Sequence, residues 1–192
     1  GLVGSDFYVF GLSDEELENI ALYLNFDMIG SPNYVRFIYD GDGSDFGLEG
    51  PDGSAAIERF FEKFYRRRGL EFESTEISFR SDYAAFFDSG IPFGGLFTGA
   101  EGIKTPEQAA IYGGTAGDQY DPCYHLACDT FDNISLEVLD LNADAVAAAT
   151  LQYAMNTRAV NGKKGKGNFK PKKGGDSNAP AVPENRGSMK IR

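Results

Sequence analysis

The spacing of apolar positions divides the first 157 residues into alternating helical and extended segments. In SAAIERFFEKFYRRRGL (54–70), Ile57, Phe60, Phe61 and Phe64 recur at the 3.6-residue period of an amphipathic helix, and Gly69 stops it. A second helical pattern runs through SLEVLDLNADAVAAATLQYAMNT (135–157), with Ser135 as N-cap and Leu136, Leu139, Val146 and Leu151 as candidates for its buried side. Ser13 followed by Glu16 has capping-box spacing at the start of a short acidic helix, and SDYAAFFDSG reads as another short helix. Between these lie ALYLNFDMIG, YVRFIYD (34–40), EFESTEI and IPFGGLFTG, whose apolar runs predict strands. The first strand ends on Asp27, close to a Gly-Ser-Pro turn. Ligands of α/β sheets bind at the C-terminal ends of strands, which makes this carboxylate a candidate functional group. The alternation of helix and strand predicts an α/β fold with helices flanking the sheet.

Composition changes this picture at one place. Up to Thr157 the chain has 8 Lys/Arg against 27 Asp/Glu; from Arg158 onward it has 10 against 2, within an overall net charge of −11. Residues 158–192, rich in Lys, Gly and Pro, bury too little to offset ordering entropy and read as a basic disordered tail on an acidic domain. Arg66, Arg67 and Arg68 sit in a helix's last turn, where the dipole favours cations, and an acidic domain repels phosphate, so nucleic acid is not an expected partner. No run of 18 apolar residues exists to span a membrane. The Gly/Asp-rich stretch 40–54 invites a calcium reading, but the EF-hand template counted from Asp40 needs Gly and Glu where Asp45 and Pro51 stand. That stretch reads as a solvated turn.

The remaining chemistry concentrates in DPCYHLACDT (121–130), which holds the only histidine and both cysteines. Cys123, His125 and Cys128 are three ligands of a structural zinc, or the cysteines close a small disulfide ring that presents His125. Structural zinc takes four protein ligands and the chain has no fourth Cys or His, which favours the ring and an oxidising compartment; whether the thiols pair is not given by spacing.

LNFDMIGSPN, FRSDYAAF, GIPFGGLFTGAEGIKT, YGGTAGDQYDPCYHLACDT and the aspartates of LDLNADA occur in this order. Together they resemble the C-terminal portion of the secreted M28-family zinc aminopeptidases over roughly residues 1–157. The resemblance implies a mixed central sheet in a three-layer sandwich and peptide substrates with a free N-terminus. It also implies two zinc ions. Asp27 matches a carboxylate that binds one, and His125 an imidazole that binds the other. Tyr124 matches a hydroxyl that stabilises the tetrahedral oxyanion, Arg80 a substrate-holding arginine, and Phe97 a wall of the pocket for the N-terminal side chain. Cys123 and Cys128 match a disulfide, and Asp140 and Asp144 match ligands of a structural calcium in some members.

In that family a histidine, the bridging aspartate and a Glu-Glu pair holding the general base precede the segment that matches GLVGS here. The 192 residues are therefore expected to be a fragment, inactive alone, with an export signal and a second histidine upstream of Gly1 and with exposed apolar strand edges that favour association. The main rival is a peptidase-like binding domain without catalysis; a carboxypeptidase-type or other amidohydrolase of the same fold class is the other.

Overall fold

The computed structural model describes residues 1–162. Its sheet has four strands, β1 (Tyr23–Phe26), β2 (Phe37–Tyr39), β3 (Glu73–Thr75) and β4 (Phe93–Phe97), in the order β1-β4-β2-β3. β1 runs parallel to β4, β2 antiparallel to β4, and β3 parallel to β2. The mixed sheet expected from the resemblance is present. Around it lie α1 (Val3–Phe10), α2 (Asp14–Glu18), α3 (Ser54–Arg67), α4 (Tyr83–Asp88), α5 (Pro106–Tyr112), α6 (Leu136–Met155) and α7 (Arg158–Asn161).

Two-residue alternation assigns each face of the sheet to a different core. Ile38 and Leu96 face one way, joining Ile57, Phe61 and Tyr65 of α3 and Ala145 and Ala149 of α6. Tyr39 and Phe93 face the other, where Tyr83 of α4 stacks on Phe93 with ring centroids 4.5 Å apart. The result is three layers: α3, α6 and α7; the sheet; α4 and α1. β4 can sit at the centre because of its glycines. A Cβ on Gly95 would lie 1.8 Å from the Asn25 carbonyl, and one on Gly94 would lie 2.6 Å from Ile57. Only glycine lets β1 and α3 approach this closely.

The pattern located most elements and misjudged some faces. The Ser13–Glu16 capping box is formed. α6 starts after Ser135 as expected, but it buries Val138, Asn142, Ala145, Ala149 and Tyr153, while Leu136 and Leu151 are 55% and 68% exposed and Leu139 and Val146 are half-buried. The helix selects its small residues because α3 lies close against it, a choice that hydropathy alone does not predict. Within the first 157 residues, α1 and α5 lie outside the predicted pattern. α5 opens on a Thr105–Gln108 capping box with Pro106 at its first position. α1 buries only Val9 and leaves Val3, Phe7 and Phe10 exposed, so it lacks an amphipathic signature. The change in composition at Arg158 does not mark the end of packed structure, since residues 158–161 form α7 and Val160 joins the core. The rest of the basic tail lies outside the described residues. No described helix is long and apolar enough to cross a membrane.

The 40–54 loop also departs from the plain solvated turn. Asp40 is fully buried and accepts hydrogen bonds from the backbone N–H groups of Ser44, Asp45 and Phe46. Glu58 of α3 accepts from Gly41 and Asp42. Asp40, Asp42 and Glu58 bring carboxylate oxygens within 4.8 Å of one another. Burial, followed by the charge of Asp42, pushes the Glu58 carboxyl up to about 7.

Candidate active site

A cleft of about 280 Å³ is lined by Asp27, Arg80, Phe97 and Tyr124, four of the residues singled out from the sequence. Asp27 directly follows β1, and Phe97 ends β4, its parallel neighbour. The strand exit is pinned across the sheet: the Met28 carbonyl accepts from both the backbone N–H and the hydroxyl of Thr98. Met28 itself has φ +51°, a left-handed conformation that costs a non-glycine residue of order 1 kcal/mol or more. Phe79 (φ +60°), just before Arg80, and His125 (φ +56°) share this conformation. Three of the four described non-glycine residues with positive φ thus lie at or beside predicted site residues.

The Asp27 carboxylate is oriented by a chain of buried hydrogen bonds. Ser81 Oγ donates to Asp27 Oδ2 at 2.6 Å. Asn25 Nδ2 donates to Ser81 Oγ at 2.9 Å and to the Tyr39 hydroxyl at 3.2 Å. Asn25 and Ser81 are buried, and burial pushes the Tyr39 phenol far upward, which keeps it neutral. Oδ1 of Asp27 makes no hydrogen bond among the described residues, which leaves that oxygen for another partner.

The histidine loop is organised differently. Cys123 and Cys128 are joined by a disulfide, so the three-ligand knuckle is excluded. Asp121, buried at the loop's base, accepts from the Cys123 backbone N–H at 2.9 Å and from Asn133 Nδ2 at 2.8 Å. Within the ring the backbone turns on itself, Leu126 N–H donating to Cys123 C=O at 2.8 Å. Tyr124 and His125 have ring centroids 4.0 Å apart. Tyr124 lines the cleft, whereas His125 is exposed at its rim and is not part of the lining.

Glu101 and Ser81 contribute without having been assigned a role from the sequence. Arg80 Nη1 lies 2.6 Å from Glu101 Oε1, and Tyr124 lies beside the same guanidinium. The Arg80 hydrogen bond holds the Glu101 carboxyl below its ordinary range, and the charges of Arg80 and His125 add to the effect. Both residues were visible in FRSDY and TGAEG, but sequence spacing carries no sign that either touches the site. Phe97 stacks on Phe37 at 6.0 Å, and Phe37 meets Tyr120 edge-on at 5.5 Å, giving the cleft an aromatic wall. Asp27, Glu76 and Glu101 make its polar lining acidic.

The donor set suits zinc in kind, a carboxylate with a free oxygen and an exposed imidazole. In number it does not complete a site: among the described residues, neither Asp27 nor His125 belongs to a cluster of three ligand-type side chains. Asp140 and Asp144 are exposed on α6, away from the cleft lining, and belong to no such cluster either. Two carboxylates fall short of the six to eight oxygens calcium takes.

Comparison with known proteins follows the same lines. Residues 1–150 match the model of peptidase family M28. The chain is similar to an aminopeptidase of Pseudomonas aeruginosa, 62% identical over 160 residues, covering 83% of this chain and 30% of that protein. It is also similar to leucine aminopeptidase 2 of Trichophyton rubrum, 52% identical over 158 residues, covering 82% of the chain and 32% of that protein. The chain thus spans about a third of the length of the curated relatives it matches. Among solved structures it resembles a zinc aminopeptidase from Bacillus subtilis, with TM-score 0.57 and 25% identity over 78% of this chain and 32% of that one. An aminopeptidase from Aneurinibacillus sp. strain AM-1 aligns with TM-score 0.52 and 27% identity over 79% and 30%.

Proposed function

The chain belongs to peptidase family M28, and from that premise we propose that it carries one side of a zinc aminopeptidase active site. The observation that supports this most is the shared cleft: Asp27, Arg80, Phe97 and Tyr124 come from four separate stretches of sequence and line one cavity, with His125 at its rim. In this reading Asp27 and His125 would each supply one ligand to one of two zinc ions, which when bound would polarise the scissile carbonyl and supply a nucleophilic water. The Tyr124 hydroxyl would donate a hydrogen bond to the oxyanion. Arg80, held by Glu101, orients the peptide. The Phe97–Phe37 wall receives an apolar N-terminal side chain, and the acidic lining attracts the α-ammonium.

One imidazole and one carboxylate cannot hold a dinuclear centre. The other ligands and the general base come, in this proposal, from polypeptide outside the 192 residues. The outer edge of β1, unpaired among the described residues, and the exposed Val3, Phe7 and Phe10 of α1 are where that polypeptide would pack, and alone the chain would self-associate. An export route is proposed with it, in keeping with the disulfide.

The purified chain, titrated with zinc and a chromogenic leucine substrate, is expected to show no hydrolysis. A chimera in which it replaces the matching 160 residues of the Pseudomonas relative should cleave that substrate, spare its N-acetylated form, and lose activity with Asp27→Asn or His125→Ala. Zinc-dependent hydrolysis by the chain alone would overturn the partial site. A folded but inert chimera would favour the binding-domain reading, and cleavage of N-blocked peptides the carboxypeptidase reading.

A further inference from the structure

On the side of the molecule where α3 meets α6, and sharing no lining residue with the cleft, a second groove of about 470 Å³ runs between the two helices. Its floor and walls include Phe60 and Phe64 of α3 and Leu151 and Met155 of α6; its rim carries Lys63, Arg67 and Arg68. Leu151 and Met155, one helical turn apart, remain 68% and 67% exposed. Among the described residues, no acidic side chain lines the groove.

This is a cationic patch on a strongly anionic body. The described residues include nine Lys/Arg against 27 Asp/Glu, and five of those nine lie between Arg59 and Arg68. Part of the cluster is explained locally. Arg66 pairs with Glu62 at 3.0 Å and stacks on Phe72, Arg68 lies 3.6 Å over the Phe64 ring, and the helix dipole favours cations in the last turn. Arg59 and Lys63 lie further up the helix, beyond the dipole's reach. Arg59 lies outside the groove lining and interacts with Asp42, whereas Lys63 and Arg67, one turn apart, form a basic ridge beside the apolar Leu151–Met155 stripe.

We propose that this groove docks an acidic polypeptide segment in helical form, whose apolar stripe covers Leu151 and Met155 and whose carboxylates meet Lys63, Arg67 and Arg68. The surface is concave and its features repeat at helical spacing, which fits a helix laid into a groove and not a flat bilayer. The chain's own segment 163–192, with nine Lys/Arg against two Asp/Glu, is excluded as occupant by like charge. Arginine beside aromatic and aliphatic surface is also the composition that anchors interfaces. The inference does not depend on the hydrolytic reading.

The probe is a fluorescent synthetic helix with Leu at i, i+3, i+4 and i+7 and Glu on the flanks, titrated into the purified 192-residue chain. Saturable one-to-one binding is expected, weakened about tenfold by Lys63→Glu with Arg67→Glu, and about tenfold by Leu151→Ser with Met155→Ser. A scrambled peptide of the same composition should bind at least about tenfold more weakly. All four positions lie at the surface of the groove, and circular dichroism checks that the variants fold. Binding unchanged by either pair of substitutions would place the peptide on the basic 163–192 segment, which every variant retains, and would overturn the proposal. So would loss through the charge substitutions alone, preference for anionic vesicles over the peptide, or self-association that the same substitutions abolish, the last making a second copy the occupant.

Discussion

The two rims of the cleft hold their key groups by opposite means. On the sheet side, Asp27 is fixed by Ser81, Asn25 and Tyr39, a hydrogen-bonded chain buried against β4 and α4. On the loop side, His125 sits exposed on a six-residue covalent ring whose base is tied down by Asp121. Moving Asp27 means disturbing the core, so its position is coupled to global stability. His125 can move while the core stays intact, because a local closure and not packing sets its place. In the proposed reading, a ligand of the first kind would be rigid whatever occupies the cleft, and one of the second kind would adjust to the ion it met.

The sharpest test of the sheet side is Gly95→Ala. The new Cβ would press into the Asn25 carbonyl, so β1 and β4 must separate and the Asn25–Ser81–Asp27 chain shifts with them. We expect a loss of about 3 kcal/mol in urea denaturation, the upper range for overpacking, with His125 resonances in NMR nearly unmoved until the protein unfolds. A change confined to the histidine loop would break the comparison.

Cys123→Ser with Cys128→Ser is the counterpart. A ring this short restricts the unfolded chain modestly, so stability should fall by about 2 kcal/mol on the chain-entropy account. The distinguishing measurement is amide exchange: protection should drop in residues 123–130 and stay unchanged in β1 and β4. Loss of protection in the strands would show that the loop supports the sheet after all.

This division also accounts for what the sequence disclosed. Asp27 was readable because it ends an apolar strand, a position with a general meaning in α/β folds. The helix over 54–67 was readable because Ile57, Phe61 and Phe64 keep one period against one core. The Cys-His-Cys loop announced itself by composition, although its pairing did not follow from spacing. The rest depended on contacts between distant segments. Ser81 lies 54 residues from Asp27, and nothing local marks its hydroxyl as a donor to that carboxylate. The buried face of α6 is set by how near α3 comes, which is why Ala145 and Ala149 are inside and Leu151 is not. Asp40 reads from the sequence as part of a solvated turn, and nothing in the helix pattern singles out Glu58; the fold brings the two together.

A milder cut on the sheet side is Ser81→Ala. Asn25 Nδ2 keeps its bond to Tyr39 but loses a 2.9 Å acceptor, and Asp27 loses its 2.6 Å donor. The expected cost is about 1 kcal/mol, read as a lower thermal midpoint. In the active chimera, zinc affinity should fall between about tenfold and a hundredfold, as when a ligand's supporting hydrogen bond is removed. Wild-type affinity in this variant would mean that the buried chain does not orient Asp27.

The smallest effect belongs to the loop-side ion pair. Hydrogen bonding to Arg80 holds the Glu101 carboxyl below its ordinary value of 4.5, so the folded state releases that proton more readily than the unfolded state does. The stabilisation is therefore complete above about pH 4.5 and is lost as pH falls through the lowered value. Both side chains are about half exposed, at 53% and 44%, so solvent screening limits the gain to less than about 1 kcal/mol. Glu101→Gln should lower the thermal midpoint slightly at pH 7, and the difference from the parent should vanish in acid. It should also shrink in high salt, as an exposed pair requires, whereas the Ser81→Ala deficit, arising in buried hydrogen bonds that salt screens little, should persist in salt. A Glu101→Gln deficit that survived both acid and salt would mean that this rim, too, is held by packing, and the contrast between the two sides of the cleft would fail.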